Sequence, residues 1–191
     1  MGRPILFVNQ VHSARVVTVR GADDPAAVTG AAVDADAMVT DRRDVALAMM
    51  VADCMPIVFA DVRAGVIGAA HAGRRGLLGG IIQNTVAAML ERGADPSRTV
   101  AAVGPCICAA CYEVPSKMLE QALVQNPAVG GESAAGTPAI SLRDGAVWAF
   151  AEAGLSRQNI RISDQCTRES EELFSHRREP GAGRFAGVVW H

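Results

Sequence analysis

The sequence predicts an α+β fold, and three observations carry that expectation. Short runs of β-branched and small apolar residues recur along the chain, separated by Gly, Pro, Asp and Asn. Helical stretches intervene, but without the regular strand–helix alternation that builds a doubly wound parallel sheet. The 191 residues show no internal repeat and no linker, which suits one ordinary hydrophobic core.

Residues 5–8 and 15–19 read as short strands around a turn at 9–13, and a polar, proline-containing stretch follows at 21–30. Strands are expected at 37–40, 45–50 and 57–60, with turn residues at 41–44 and 53–56 between them. A further strand at 66–70 ends at the glycine-rich run 71–80. A long amphipathic helix is expected over 78–92, because Gly93 stands where a C-terminal glycine belongs. Residues 99–103 form a strand running into Gly104-Pro105. Weaker helical patterns cover 116–124, 144–153 and 168–173, the composition of 130–137 is that of a flexible loop, and 185–190 closes the chain as a strand.

Half of the residues are hydrophobic and only 4% aromatic, so Ala, Val, Leu, Ile and Met must build the core. The 18 basic and 20 acidic side chains leave a net charge of −2, which gives no electrostatic reason to expect nucleic acid or an anionic membrane as partner. The longest apolar runs fall far short of the roughly 20 residues a spanning helix needs, and no stretch resembles a signal peptide. Five cysteines are an odd number, and four of them sit in or beside turns. Cysteines kept unpaired for chemistry or burial point to a cytoplasmic protein.

Three segments each place a metal-ligating side chain at the end of a strand: Asn9-Gln10-Val11-His12, Ala52-Asp53-Cys54-Met55-Pro56 and Ala69-Ala70-His71-Ala72-Gly73. Zinc accepts imidazole nitrogen and thiolate sulfur, and its catalytic sites use three protein ligands with a fourth position open. Long gaps between ligands suit a catalytic site assembled from separate strands. Taken singly, each residue reads more readily as an ordinary buried Cys or capping His than as a ligand. Cys106, Cys108 and Cys111 form a tighter cluster, but Cys108-Ala109-Ala110-Cys111 has no matching cysteine pair downstream, so these read as buried or turn-lining thiols able to take copper adventitiously.

The wording of the segments adds to their spacing. Gln10-Val11-His12, Ala52-Asp53-Cys54-Met55-Pro56 and His71-Ala72-Gly73-Arg74-Arg75-Gly76 are followed by Gly104-Pro105-Cys106-Ile107, Cys111-Tyr112-Glu113-Val114 and Cys166-Thr167. Phe174-Ser175-His176-Arg177-Arg178-Glu179 and Gly183-Arg184 complete the set. Together, in this order, they resemble the YfiH-like or laccase-domain family. That resemblance implies a four-layer α/β/β/α sandwich with mixed sheets and one zinc held by His12, Cys54 and His71. It also implies phosphorolysis of adenosine, inosine, guanosine and methylthioadenosine and deamination of adenosine. Older descriptions of the family as polyphenol oxidases or laccases invoke copper.

Four positions depart from the family pattern: Ser13 for Gly, Val51 for Thr, Arg74 for Trp and His176 for Tyr. Members of the family also carry a substantial segment before the first motif, whereas this chain begins just upstream of it. One domain over residues 1–191, lacking that segment, is therefore expected.

Deamination requires a carboxyl group to shuttle protons, and Asp53 beside Cys54 is the nearest one in sequence, although a turn or the orientation of a ligand suits it better. Phosphorolysis requires a phosphate cradle. Arginine supplies it through its forked guanidinium, and Arg75, before the long helix, stands where a helix N-terminus attracts anions. Arg177 and Arg178 make a second basic spot or a solvated loop. Two other readings stand beside this one: a cysteine hydrolase using Cys54 and His71, and a metal-binding protein without activity.

Overall fold

The computed structural model describes residues 2–20 and 33–191, so the polar stretch expected at 21–30 lies outside the described residues. Two mixed sheets form the body. The larger has six strands in the order β10-β7-β5-β6-β3-β2: β2 (Val16–Val19), β3 (Ala37–Thr40), β5 (Met55–Asp61), β6 (Val66–Ala72), β7 (Val100–Val103) and β10 (Ile160–Ile162). The smaller joins β1 (Ile5–Leu6), β4 (Ala46–Val51) and β11 (Phe185–Trp190), with β1 parallel and β11 antiparallel to β4. An α+β architecture with mixed sheets is thus borne out.

Period-two alternation decides which face each side chain takes. In β3, Ala37 and Val39 face a cluster built with the helical residues Ile81, Ile82, Val86, Met89 and Phe150, while Met38 faces the opposite side. There Met38 meets Leu6, Leu47 and Met49 of the smaller sheet. In β6, Val66 and Ala70 take the helical side and Ile67 and Ala69 the inter-sheet side. The described layers therefore run helices, large sheet, small sheet. Phe59 and Phe150 meet edge to face across the helical core with ring centroids 6.0 Å apart, and each fully buried side chain of this size stabilises the fold by about 1.5–3 kcal/mol.

Among the described residues are four α-helices: α1 (Arg74–Leu78), α2 (Ile81–Leu90), α3 (Ser116–Gln125) and α4 (Leu142–Glu152). The helix expected over 78–92 spans 81–90, and a short helix over 74–78 precedes it within the glycine-rich run; Gly80, at φ +87°, breaks the ladder between them. The α4 helix starts before the expected residue 144, since the Ser141 side chain accepts from the Asp144 amide and caps it.

Residues 168–173 form turns instead of the expected helix. The Arg178 guanidinium takes the carbonyls of Thr167, Arg168, Ser170 and Leu173, and a helix would need such acceptors for its own amides. The stretch expected as a flexible loop at 130–137 holds β8 (Gly130–Glu132), paired with β9 (Pro138–Ile140). That hairpin is fixed from outside by the amides of Val114 and Ile140, which donate to Pro138 and Tyr112 carbonyls. No described helix is long and apolar enough to cross a membrane.

Candidate metal centre and its cavity

His71 belongs to β6, which runs two residues past the expected end at residue 70. Its position continues the phase of Ile67 and Ala69, so the imidazole points between the sheets, where it is buried. The His71 amide donates to the Asp36 carbonyl at 2.7 Å, and His71 Nδ1 lies 2.7 Å from Asp36 Oδ1.

His12 arrives on the loop before β2. Gln10 anchors that loop to β4 as a strand would, with Nε2 donating to the Met50 carbonyl and Oε1 accepting the Met50 amide. Three consecutive amides, those of Val11, His12 and Ser13, then donate to the Asp36 carboxylate, joined by the Ser13 hydroxyl. His12 itself sits at φ +60°. A non-glycine residue in the left-handed region is uncommon, and such strain gathers at functional sites.

Cys54 occupies the turn between β4 and β5, and its neighbour Asp53 takes φ +86°. The Asp53 carboxylate is spoken for on both oxygens. Oδ1 accepts the Thr167 hydroxyl at 2.6 Å and Oδ2 accepts the Arg177 amide at 2.7 Å. Across from Cys54 runs Gly73, where an added Cβ would lie 2.6 Å from Cys54 Sγ and 3.1 Å from His12 Cδ2. Only glycine lets the chain pass that close.

The ligating atoms of His12, Cys54 and His71 all lie within 4.8 Å of one another. Cys54 Sγ is 3.8 Å from His12 Nε2, and the two imidazoles meet edge to face at 4.7 Å between centroids. Burial raises the Asp36 carboxyl, but the hydrogen bonds from His71 and from the Ser13 amide and hydroxyl outweigh it and bring it down to about 2. Asp36 therefore stays ionised and accepts from His71 Nδ1, which makes Nε2 the nitrogen available to a metal. Desolvation and the nearby His71 lower His12, which favours its neutral form. Burial, then the Asp53 charge, push the Cys54 thiol up to about 12. Two imidazoles and a sulfur that gives its proton up to a cation fit a metal ion.

This centre opens into a cavity of about 620 Å³, within the usual range for a small-molecule site. Asp53, Arg74, Tyr112, His176, Arg177 and Arg184 line it. Arg177 lies over the Tyr112 ring at 5.3 Å and donates to the Glu113 carbonyl. The other two arginines expected at a phosphate cradle are not among the lining residues. Arg75 sits exposed on α1, and Arg178 spends its guanidinium on four backbone carbonyls.

Sequence reasoning passed over Asp36, which touches both histidine segments. Its one signal is an acidic side chain at the mouth of the apolar run Ala35-Asp36-Ala37-Met38-Val39, where a fully buried carboxylate needs a partner.

The family described as multi-copper polyphenol oxidoreductase laccase matches residues 1–191. A purine nucleoside phosphorylase of Streptomyces griseus is 42% identical over 186 residues, covering 97% of this chain and 74% of that protein. An adenosine deaminase, RL5, from an unknown prokaryotic organism is 34% identical over 192 residues, covering 91% of this chain and 70% of that protein. Among solved structures, YlmD from Geobacillus stearothermophilus superimposes with a TM-score of 0.88 at 32% identity, covering 99% of this chain and 74% of that one.

Proposed function

The chain belongs to the multi-copper polyphenol oxidoreductase laccase family, and from that membership and its site we propose a zinc-dependent purine nucleoside enzyme that works mainly by phosphorolysis. The observation that carries the proposal is the convergence of His12, Cys54 and His71 on a cavity lined by three arginines. Relatives named purine nucleoside phosphorylase and adenosine deaminase support the substrate class.

Two imidazoles and one thiolate are a borderline donor set of the kind that catalytic zinc sites use. A bound ion of this kind would supply Lewis-acid activation of an oxygen on the attacking phosphate or water. The protein's own part is positioning. Asp36 orients His71, Gln10 and Asp36 together fix His12, and Gly73 admits Cys54. Arg177, with Arg74 and Arg184 around the same cavity, offers forked donors for phosphate oxygens. Tyr112 lines the same cavity, and its hydroxyl stays protonated because burial and the Cys54 sulfur raise it. In phosphorolysis an oxygen of hydrogen phosphate bonds to the sugar C1′, the bond from C1′ to the base nitrogen breaks, and the base leaves with the proton that the phosphate gives up.

Among the described residues Asp53 is the carboxylate that lines the cavity, and with both oxygens engaged it is better placed to hold Thr167 and Arg177 than to shuttle a proton. That favours phosphorolysis over deamination, which needs a carboxyl free to exchange protons. Burial that pushes the Cys54 thiol up to about 12 weighs against the Cys54–His71 hydrolase.

Product analysis tests the proposal. Zinc-loaded protein given adenosine and phosphate is expected to release adenine and ribose 1-phosphate in equal amounts. Inosine and ammonia as the main products would move the assignment to deamination, and no conversion of any purine nucleoside would refute it.

A further inference from the structure

A second group of ligating side chains lies apart from the His12 centre. Cys108, Cys111, Cys166 and Glu169 each offer one donor atom, and these four all lie within 4.8 Å of one another. Two turns supply them. Cys108-Ala109-Ala110-Cys111 winds into a 3₁₀ turn, with the Cys111 amide donating to the Cys108 carbonyl at 3.1 Å. Cys166-Thr167-Arg168-Glu169 is likewise a turn, with the Ser170 amide donating to the Cys166 carbonyl at 3.0 Å. The isolated parallel bridge between Cys106 and Cys166 sets the two turns side by side. The partner pair of the Cys-x-x-Cys exists after all. It is a Cys-x-x-Glu, hidden from a count of cysteines.

The spacing is that of paired chelating turns in structural zinc sites. In a zinc tetrahedron, sulfur–sulfur separations are about 3.8 Å and sulfur–oxygen separations about 3.6 Å, from the usual bond lengths. Cys111 Sγ lies 3.6 Å from Glu169 Oε1 and Cys108 Sγ lies 3.9 Å from Glu169 Oε2. The Cys108 amide points at Cys166 Sγ from 3.3 Å, the orientation that stabilises a thiolate. Three soft sulfurs alone would suit Cu(I). The added hard carboxylate shifts the preference to a borderline ion with four positions to fill.

We propose that Cys108, Cys111, Cys166 and Glu169 form a structural Zn²⁺ site separate from the His12–Cys54–His71 centre. Such an ion ties together the two segments that wall the cavity. Ile107 and Tyr112 flank the first turn and line the cavity, and Thr167 in the second turn holds Asp53.

Metal content and Co²⁺ spectra of the full chain, purified under reductant and loaded with each ion, test this. Wild type is expected to hold two zinc equivalents. His71→Ala is expected to hold one, and Cys166→Ser one. Co²⁺ in the His71→Ala variant should give intense thiolate-to-metal charge-transfer absorption, and Glu169→Gln, at an exposed position, should weaken that binding without disturbing the circular dichroism spectrum. A single equivalent in wild type that vanishes in His71→Ala overturns the proposal. A disulfide among Cys108, Cys111 and Cys166, mapped in protein kept under reductant, overturns it as well.

Discussion

Asp36 Oδ1 stands 2.7 Å from His71 Nδ1, and the same carboxylate gathers the amides of residues 11–13 around His12. One buried side chain thus orients two imidazoles that lie 59 positions apart in the chain. Asp36→Asn keeps the shape but loses the charge that holds the Nδ1 proton, and an amide cannot accept equally from both sides. Loss of such an outer partner typically lowers metal affinity about 10–100-fold. Competition with a chromophoric chelator is the measurement, and unchanged affinity would mean that the His71 tautomer is set elsewhere.

Gly73 gives a steric prediction. A methyl group there would meet Cys54 Sγ at 2.6 Å, so Gly73→Ala must displace the sulfur or the strand end. Weakened metal binding with near-native circular dichroism is expected. Native affinity would show that Cys54 has room to move.

Arg177 carries the phosphate reading. Arg177→Ala removes a charge-assisted donor worth about 1.5–3 kcal/mol, so the KM for phosphate should rise roughly tenfold or more, with the nucleoside KM less affected. Steady-state kinetics with each substrate varied in turn separates the two. A rise confined to the nucleoside would reassign Arg177 to the base or sugar.

Asp61 sets a pH dependence of stability away from the centre. It is buried, and desolvation alone would raise it. The Asp95 and Ala64 amides and the Arg98 guanidinium outweigh that and hold it below its ordinary value of 3.8. A carboxyl depressed in the folded state stabilises the fold above its unfolded value, and that stability is lost as pH falls through the folded value. Urea midpoints should therefore drop below about pH 4, and Asp61→Asn should be less stable at pH 7 with a flatter acid limb. Parallel acid limbs in both proteins would contradict the assignment.

Most strands were legible because alternation and turn residues are local signals, and even the face taken by His71 follows from the phase of Ile67 and Ala69. What escaped depends on distant partners. The 168–173 segment carries helix-compatible residues, yet Arg178 draws its carbonyls outward. The 130–137 segment is Gly- and Ser-rich, yet backbone pairing needs no apolar side chain to form β8. At the site, ligand-type residues announce themselves by their chemistry. Asp36, Gln10 and Glu169 do not, because an acid or an amide acquires such a role only from what folding sets beside it.

The most direct test of the central claim is the rate of phosphate-dependent adenosine cleavage by zinc-loaded wild type beside His71→Ala of matching circular dichroism. Cleavage by the wild type, reduced to background in the variant together with loss of one zinc equivalent, is the result expected. An equal rate in both proteins would contradict a reaction centred on His12, Cys54 and His71.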